Sequence, residues 1–188
     1  MSTQAQPKPK KPHIVKIAIL GDGACGKSSL IRAKQKKMFK EENALTVGVD
    51  IQCLPFENKQ IQNADATFLT VDLGGQKRFQ FLHDSYIKGI RLGVLMYDLS
   101  RYITFLNLPK WYALVQQENI AIPVIIVGTK LDLVDDDHKQ YFVDEFERAR
   151  KLYPNPQNIQ GHYFISSKTG EGVDELFLQC ENLMKMAM

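Results

Sequence analysis

Eight residues, "GDGACGKS" at positions 21–28, constrain this chain more than any other stretch. They follow the β-branched run "HIVKIAIL" and precede "KSSLIRAKQKKM", which carries a helical apolar pattern. The motif is glycine, four residues, then Gly-Lys-Ser, set between a strand signal and a helix signal. Gly21, Gly23 and Gly26 permit a backbone path that turns N–H groups inward, and the following helix presents its positive end. Fixed donors of that kind hold a phosphate. In such a loop Lys27 reaches the outer phosphates of a nucleotide and the Ser28 hydroxyl ligates Mg²⁺. The loop alone does not choose the nucleotide.

The rest of the chain reads as one domain built around that corner. At 188 residues and 44% hydrophobic it is long enough for one well-buried core and too short to suggest two. Residues 1–12, "MSTQAQPKPKKP", form a Pro/Lys leader expected to be disordered, and residues 13–188 form the folded body. "VDIQCLPF" and "ATFLTVD" read as strands of a hairpin across the polar turn "ENKQIQN". "RLGVLMYDL" and "IPVIIVGT" are continuous apolar runs, as expected of strands covered on both faces, and "HYFIS" belongs with them. "YITFLNLPKWYALVQQE", "HKQYFVDEFERARKLY" and "GVDELFLQCENLMKMA" have helical spacing, with Pro109 expected to delay or kink the first. This order predicts a doubly wound α/β domain, a six-stranded, mostly parallel sheet flanked by about five helices, binding its ligand at the carboxyl ends of the strands.

Composition removes several other classes. The net charge is +3, and much of the excess lies in Lys8, Lys10 and Lys11 of the leader, so nothing in the charge balance calls for nucleic acid. Cys25, Cys53 and Cys180 have no metal-ligand spacing and read as reduced thiols of a cytoplasmic protein. The four histidines likewise lack ligand spacing, and Asp135, Asp136 and Asp137 read as a solvated stretch before a helix. Trp111 and Tyr112 read as packing or surface residues with no role assigned. No run is long enough to span a membrane.

Downstream of the loop come "ALTVGVD", "TVDLGGQKRF", "IIVGTKLDL" and "FISSKTGEG", in that order and each at a strand end. On these motifs the chain resembles the Ras superfamily of small GTPases from about residue 14 to its end. "TVGVD", "GQKRF" and "MYDLS" look most like Rab-type members, whereas "DLGG" is similar to Arf proteins and to fungal GTPases of septation and mitotic exit. The resemblance implies GTP or GDP as ligand, Mg²⁺ as cofactor and GTP hydrolysis as activity. It implies nucleotide contact along Asp22, Gly23, Ala24, Cys25, Gly26, Lys27, Ser28 and Ser29, and an aromatic edge from Phe39. Ser28, Thr46 and Asp72 correspond to the Mg²⁺ positions, and the N–H groups of Thr46 and Gly75 to those that meet the γ-phosphate. Gln76 stands where relatives orient the attacking water, so catalysis falls to Gln76, Lys27 and Thr46. Asp132 accepts from the guanine ring N–H and exocyclic amine, a pair adenine does not offer there. Lys130 lies along the base, and Ser166, Ser167 and Lys168 complete its pocket. Thr129 replaces the usual Asn, Leu73 and Gly74 replace Thr-Ala, and Val71 stands where Rab proteins carry Trp.

The function so implied is a monomeric GTP/GDP switch that hydrolyses GTP slowly and signals through residues 39–49 and 74–86, in vesicle traffic or in cytoskeletal and division signalling. A nucleotide-bound interaction module with little turnover and a different phosphate-loop enzyme are the competing classes; Gln76 and Thr46 oppose the first, Asp132 with "SSK" the second. Partners implied are a GTPase-activating protein, an exchange factor and effectors. The segment "MFKEENALT" contains one lysine, Lys40, but no arginine, so an arginine finger is expected from an activating protein. Cys180 lies too far from the end for prenylation, Met1-Ser2 excludes myristoylation, and the prolines forbid an amphipathic leader helix, so no direct lipid anchor is expected. Cys25, beside Lys27 at a helix start, is a candidate for a reactive thiol, against the plainer role of a small packing residue.

Overall fold

Among the described residues six strands form one sheet in the order β2-β3-β1-β4-β5-β6: β1 (His13–Gly21), β2 (Gly48–Pro55), β3 (Ala64–Asp72), β4 (Leu92–Asp98), β5 (Val124–Thr129) and β6 (Ile159–Phe164). The computed structural model describes residues 13–36, 48–55, 64–72 and 87–186, and the leader read at residues 1–12 lies outside them. β2 and β3 are antiparallel, with Gly48 opposite Asp72 and Pro55 opposite Asp65, as the hairpin reading requires. Every other pairing is parallel. β1 is flanked by β3 on one side and β4 on the other, so chain direction across the sheet reverses there. Ligands of open α/β sheets bind in the crevice beyond that point. The loop at residues 21–28 begins there.

Side-chain alternation divides the core into two layers. From β1, Ala18 and Leu20 enter one layer with Leu95, Tyr97, Trp111, Phe142 and Phe146. Val15, Ile17 and Ile19 enter the other, with Leu30, Val94, Val127, Leu176 and Phe177. Because both faces are covered, every residue of β4 and β5 is buried, which is why their sequences run apolar without a break. The covering helices are α1 (Lys27–Lys34), α2 (Tyr102–Leu106), α3 (Leu108–Glu118), α4 (Asp136–Arg150) and α5 (Val173–Met186). Asp135 caps α4, its carboxylate accepting from the His138 N–H at 2.8 Å, with Asp136 and Asp137 in the first turn. All three therefore serve the helix's positive end.

Helix boundaries depart from the spacing in three places, and in one of them α4 runs Asp136–Arg150 where the pattern covers 138–153. α1 ends at Lys34, short of the pattern in "KSSLIRAKQKKM", and the chain leaves through Lys36 at φ 55°. Within the described residues, the buried stripe of α1 ends with Leu30 and Ile31. Lys34 instead pairs with Asp174 at 3.0 Å and lies 5.4 Å from the centre of the Phe177 ring. The helix predicted over 102–118 is broken at Asn107, two residues before Pro109. Proline's missing N–H and ring clash with a preceding turn exclude a continuous helix there, while the first turn of a new one accepts it. β6 starts three residues ahead of "HYFIS" and stops at Phe164.

One polar pair lies inside the first layer. The Tyr97 hydroxyl and His162 Nε2 are 2.8 Å apart, and the His162 ring packs 4.4 Å from Phe146 and 4.5 Å from Phe164 between ring centres. Burial pushes the imidazole pKa down to about 3, so it stays neutral, and raises that of the tyrosine. The hydrogen bond compensates both groups for lost water.

Candidate nucleotide site

The phosphate loop leaves β1 where the sheet leaves no room for a side chain. A Cβ on Gly21 would meet the Met96 carbonyl oxygen and lie 2.8 Å from Cys25 Sγ. Ala24 sits at φ 61°, a left-handed conformation uncommon for alanine, and Gly26 at φ 90° caps α1 without a side-chain hydrogen bond. Lys27 is only 3% exposed. Its Nζ donates to the Gly21 carbonyl at 2.9 Å and to the Asp22 carbonyl at 2.8 Å, with Cys25 Sγ at 3.9 Å. The ammonium is held under the loop by the backbone it belongs to, with its stem already ordered.

The loop is braced from the β4–α3 segment, a role local sequence patterns do not reveal. Trp111 Nε1 donates to Asp22 Oδ1 at 2.9 Å and Asn107 Nδ2 donates to Asp22 Oδ2 at 2.7 Å, so both carboxylate oxygens are engaged. Arg101 Nη2 donates to the Gly23 carbonyl at 2.8 Å, while its Nε donates to Asp98 Oδ2 at 2.8 Å. Trp111 therefore does more than pack. Tyr112, its neighbour, has its hydroxyl 2.6 Å from the Pro154 carbonyl and 2.9 Å from the Asn155 carbonyl, donating its one proton there and away from the loop.

Asp98 ends β4 and is fully buried. Oδ1 accepts from the Ser100 hydroxyl at 2.6 Å and from its N–H at 3.0 Å, while Oδ2 accepts from Arg101 and pairs with Lys130 Nζ at 2.7 Å. Burial works to raise the carboxyl pKa, but the hydrogen bonds from Lys130, Ser100 and Arg101 together outweigh it and hold it below the ordinary value. One carboxylate thus ties the phosphate loop, through Arg101, to the loop after β5, through Lys130.

A second tie runs through Thr129, whose hydroxyl lies 2.8 Å from the Cys25 carbonyl and 2.9 Å from the Tyr97 carbonyl. With one proton it donates to one or the other. A short hydroxyl is thus within hydrogen-bond reach of the phosphate loop where a longer amide is usual in the family it resembles. Beyond it, Lys130 adopts φ 59°, and a short turn at Leu131–Leu133 is pinned by Leu131 N–H to the Ile165 carbonyl at 3.0 Å.

Asp132 in that turn meets the loop after β6. Ser166, fully buried, donates its hydroxyl to Asp132 Oδ1 at 2.5 Å while accepting from the N–H groups of Lys168 at 3.2 Å and Thr169 at 3.1 Å. Lys168 Nζ is 3.9 Å from Asp132 Oδ2. Residues 166–171 close on themselves, Gly170 N–H to the Ser166 carbonyl and Ser166 N–H to the Glu171 carbonyl. The carboxylate is thereby fixed in direction, a precondition for reading two donors of a base.

The structure thus brings together Asp22 to Ser29, Thr129, Lys130, Asp132 and Ser166 to Lys168 at the carboxyl ends of β1, β5 and β6. Phe39, Thr46, Gly75 and Gln76 lie outside the described residues. Asp72 is the last residue of β3. Cys25 is fully buried in the second core layer, which favours the packing role over a reactive thiol. The candidate Mg²⁺ set of serine and threonine hydroxyls and a carboxylate is all hard oxygen, the donor type that cation prefers.

Comparison with known proteins gives the same assignment. The Ras family model matches residues 16–186. The chain is 33% identical over 178 residues to the Ras-related protein RABG3f of Arabidopsis thaliana, covering 91% of this chain and 82% of that one. Matched by that model almost end to end and by this relative over most of its length, the chain is a member of the Ras family, a small GTPase that hydrolyses GTP.

Proposed function

We propose that the protein is a GTP/GDP switch that turns over slowly, with Mg²⁺ as cofactor, and signals through residues 39–49 and 74–86. The observation that carries this reading is the fixed Asp132 carboxylate, held by Ser166 on a loop whose Thr129 is within hydrogen-bond reach of the phosphate loop. Base recognition and phosphate recognition are therefore mechanically one unit.

In this mechanism the loop N–H groups and Lys27 hold the β- and γ-phosphates, and Asp132 with the Ser167 N–H selects guanine. Ser28, Thr46 and Asp72 are the residues that would hold Mg²⁺, which when bound neutralises charge on the phosphate oxygens. Gln76 orients a water in line with the γ-phosphate, and Gly75 and Thr46 donate N–H groups that lose their acceptor when it leaves. That loss is the switch.

Among the described residues, the arginine placed against the phosphate loop supports slow turnover. Arg101 lies against the loop, but its Nε is bonded to Asp98 and its Nη2 to a carbonyl oxygen of the loop itself. It holds the loop rather than reaching a transferring phosphoryl group. An activating protein supplying an arginine would add roughly 10³–10⁵ in rate. We also assign an exchange factor and effectors as partners.

Vesicle traffic is the pathway supported by the Rab-like flanks, and cytoskeletal or division signalling the one supported by "DLGG". Among the described residues no helix is long and apolar enough to cross a membrane. A cytoplasmic protein recruited by protein partners suits this.

Gln76→Leu tests turnover. Single-turnover release of phosphate should fall by roughly tenfold or more while GTP affinity stays within about twofold, because the amide positions water and holds no nucleotide. Equal rates in variant and wild type would favour an interaction module with little turnover.

A further inference from the structure

Both oxygens of the Asp22 carboxylate are taken by donors from one helical corner, Asn107 between α2 and α3 and Trp111 in α3. Asp22 belongs to the phosphate loop, and its own carbonyl is one of the two that hold Lys27 Nζ. Trp111 is 1% exposed and lies in the core layer shared with Leu20 and Leu95, so its indole is immobile and its N–H points in one direction. The loop contains a residue in a strained conformation, Ala24, two positions further on. A backbone in that state keeps its shape only when its surroundings hold it.

We propose that Trp111 and Asn107 are positioning residues for nucleotide retention. They anchor Asp22, and through it the path of the loop whose N–H groups and lysine grip the phosphates. This rests on the GTP/GDP reading above and adds to it a determinant of release rate that touches neither phosphate nor base. Hydrogen bonds to a carboxylate are stronger than neutral ones, and rigid donors lose little entropy in making them. Loss of one should loosen the loop without unfolding the domain.

The prediction is read from release of N-methylanthraniloyl-GDP, chased with unlabelled GDP. Trp111→Phe keeps an aromatic ring in the core and removes the donor; release should accelerate on the order of tenfold. Asp22→Asn, which keeps size but turns an amide donor toward one of the two donors, should do the same without touching the core. Because all three groups act through one contact set, Trp111→Phe combined with Asp22→Asn should release little faster than either alone. Tyr112→Phe is the control. It removes a hydroxyl from the adjacent position, whose one proton faces the Pro154 and Asn155 carbonyls, and should leave release unchanged. Guanine over xanthine preference should be unaltered in every variant. Release from Trp111→Phe and Asp22→Asn at the wild-type rate, or acceleration by Tyr112→Phe to the same degree, would overturn the positioning role. Failure of wild type to bind the probe would overturn the GTP/GDP reading itself, a separate and recognisable outcome.

Discussion

Asp132→Asn should lower GDP affinity by roughly 10²-fold or more and turn the preference toward xanthine nucleotides. The direction follows from Ser166. Its oxygen already accepts two backbone N–H groups, so its hydroxyl proton is committed to Asp132 Oδ1. In the variant the amide oxygen must keep that place, and the amide nitrogen takes the position of Oδ2. A donor then faces the guanine amine, which is also a donor, while xanthine presents a carbonyl oxygen there. Competition of GDP and XDP for the purified variant, by calorimetry or fluorescence, checks this. Undiminished preference for GDP would remove Asp132 from base recognition.

The second large effect concerns stability. Asp98→Ala should destabilise the protein by about 2–4 kcal/mol, read from urea midpoints at unchanged slope. The carboxylate is fully buried and serves Ser100, Arg101 and Lys130 at once, so its removal leaves four donor groups, two of them on Ser100, without their acceptor. The two cations are 40% and 35% exposed in their side chains and can turn to water, which keeps the loss below that of a wholly buried pair. Since Arg101 and Lys130 lead to the two loops of the site, nucleotide release should accelerate as well. A loss under about 0.5 kcal/mol, the scale of an ordinary surface substitution, would contradict the hub role.

The β-sheet was legible because its physical causes are local. β4 and β5 are buried on both faces, so their runs of apolar residues have no polar interruption, and alternation in β1 serves two layers. Pro109 marks a break for a reason internal to its own ring. The backbone corner after β1 was legible because glycine permits its path, Gly21 at φ 153° and Gly26 at φ 90°. What was not legible is long-range polar contact. Trp111 and Asp22 are 89 positions apart, and neither carries a periodic signal that names the other. Arg101 reads as a surface residue after a strand until the fold brings the Gly23 carbonyl to it. Thr129 shows the converse. Read against the usual asparagine it is a departure, yet the group it must reach is a backbone carbonyl 2.8 Å away, and a hydroxyl suffices. The end of α1 is not legible because the helical pattern continues past Lys34, and propensity alone does not mark where a helix stops.

The most direct test of a guanine-nucleotide switch is the identity of the nucleotide carried by the native protein. Protein purified in Mg²⁺ without added nucleotide should, on denaturation, release GDP or GTP in near-equimolar amount, resolved by ion-exchange chromatography, with no adenine nucleotide. Release of ADP or ATP instead would contradict the role of Asp132 and, with it, the function proposed for the site.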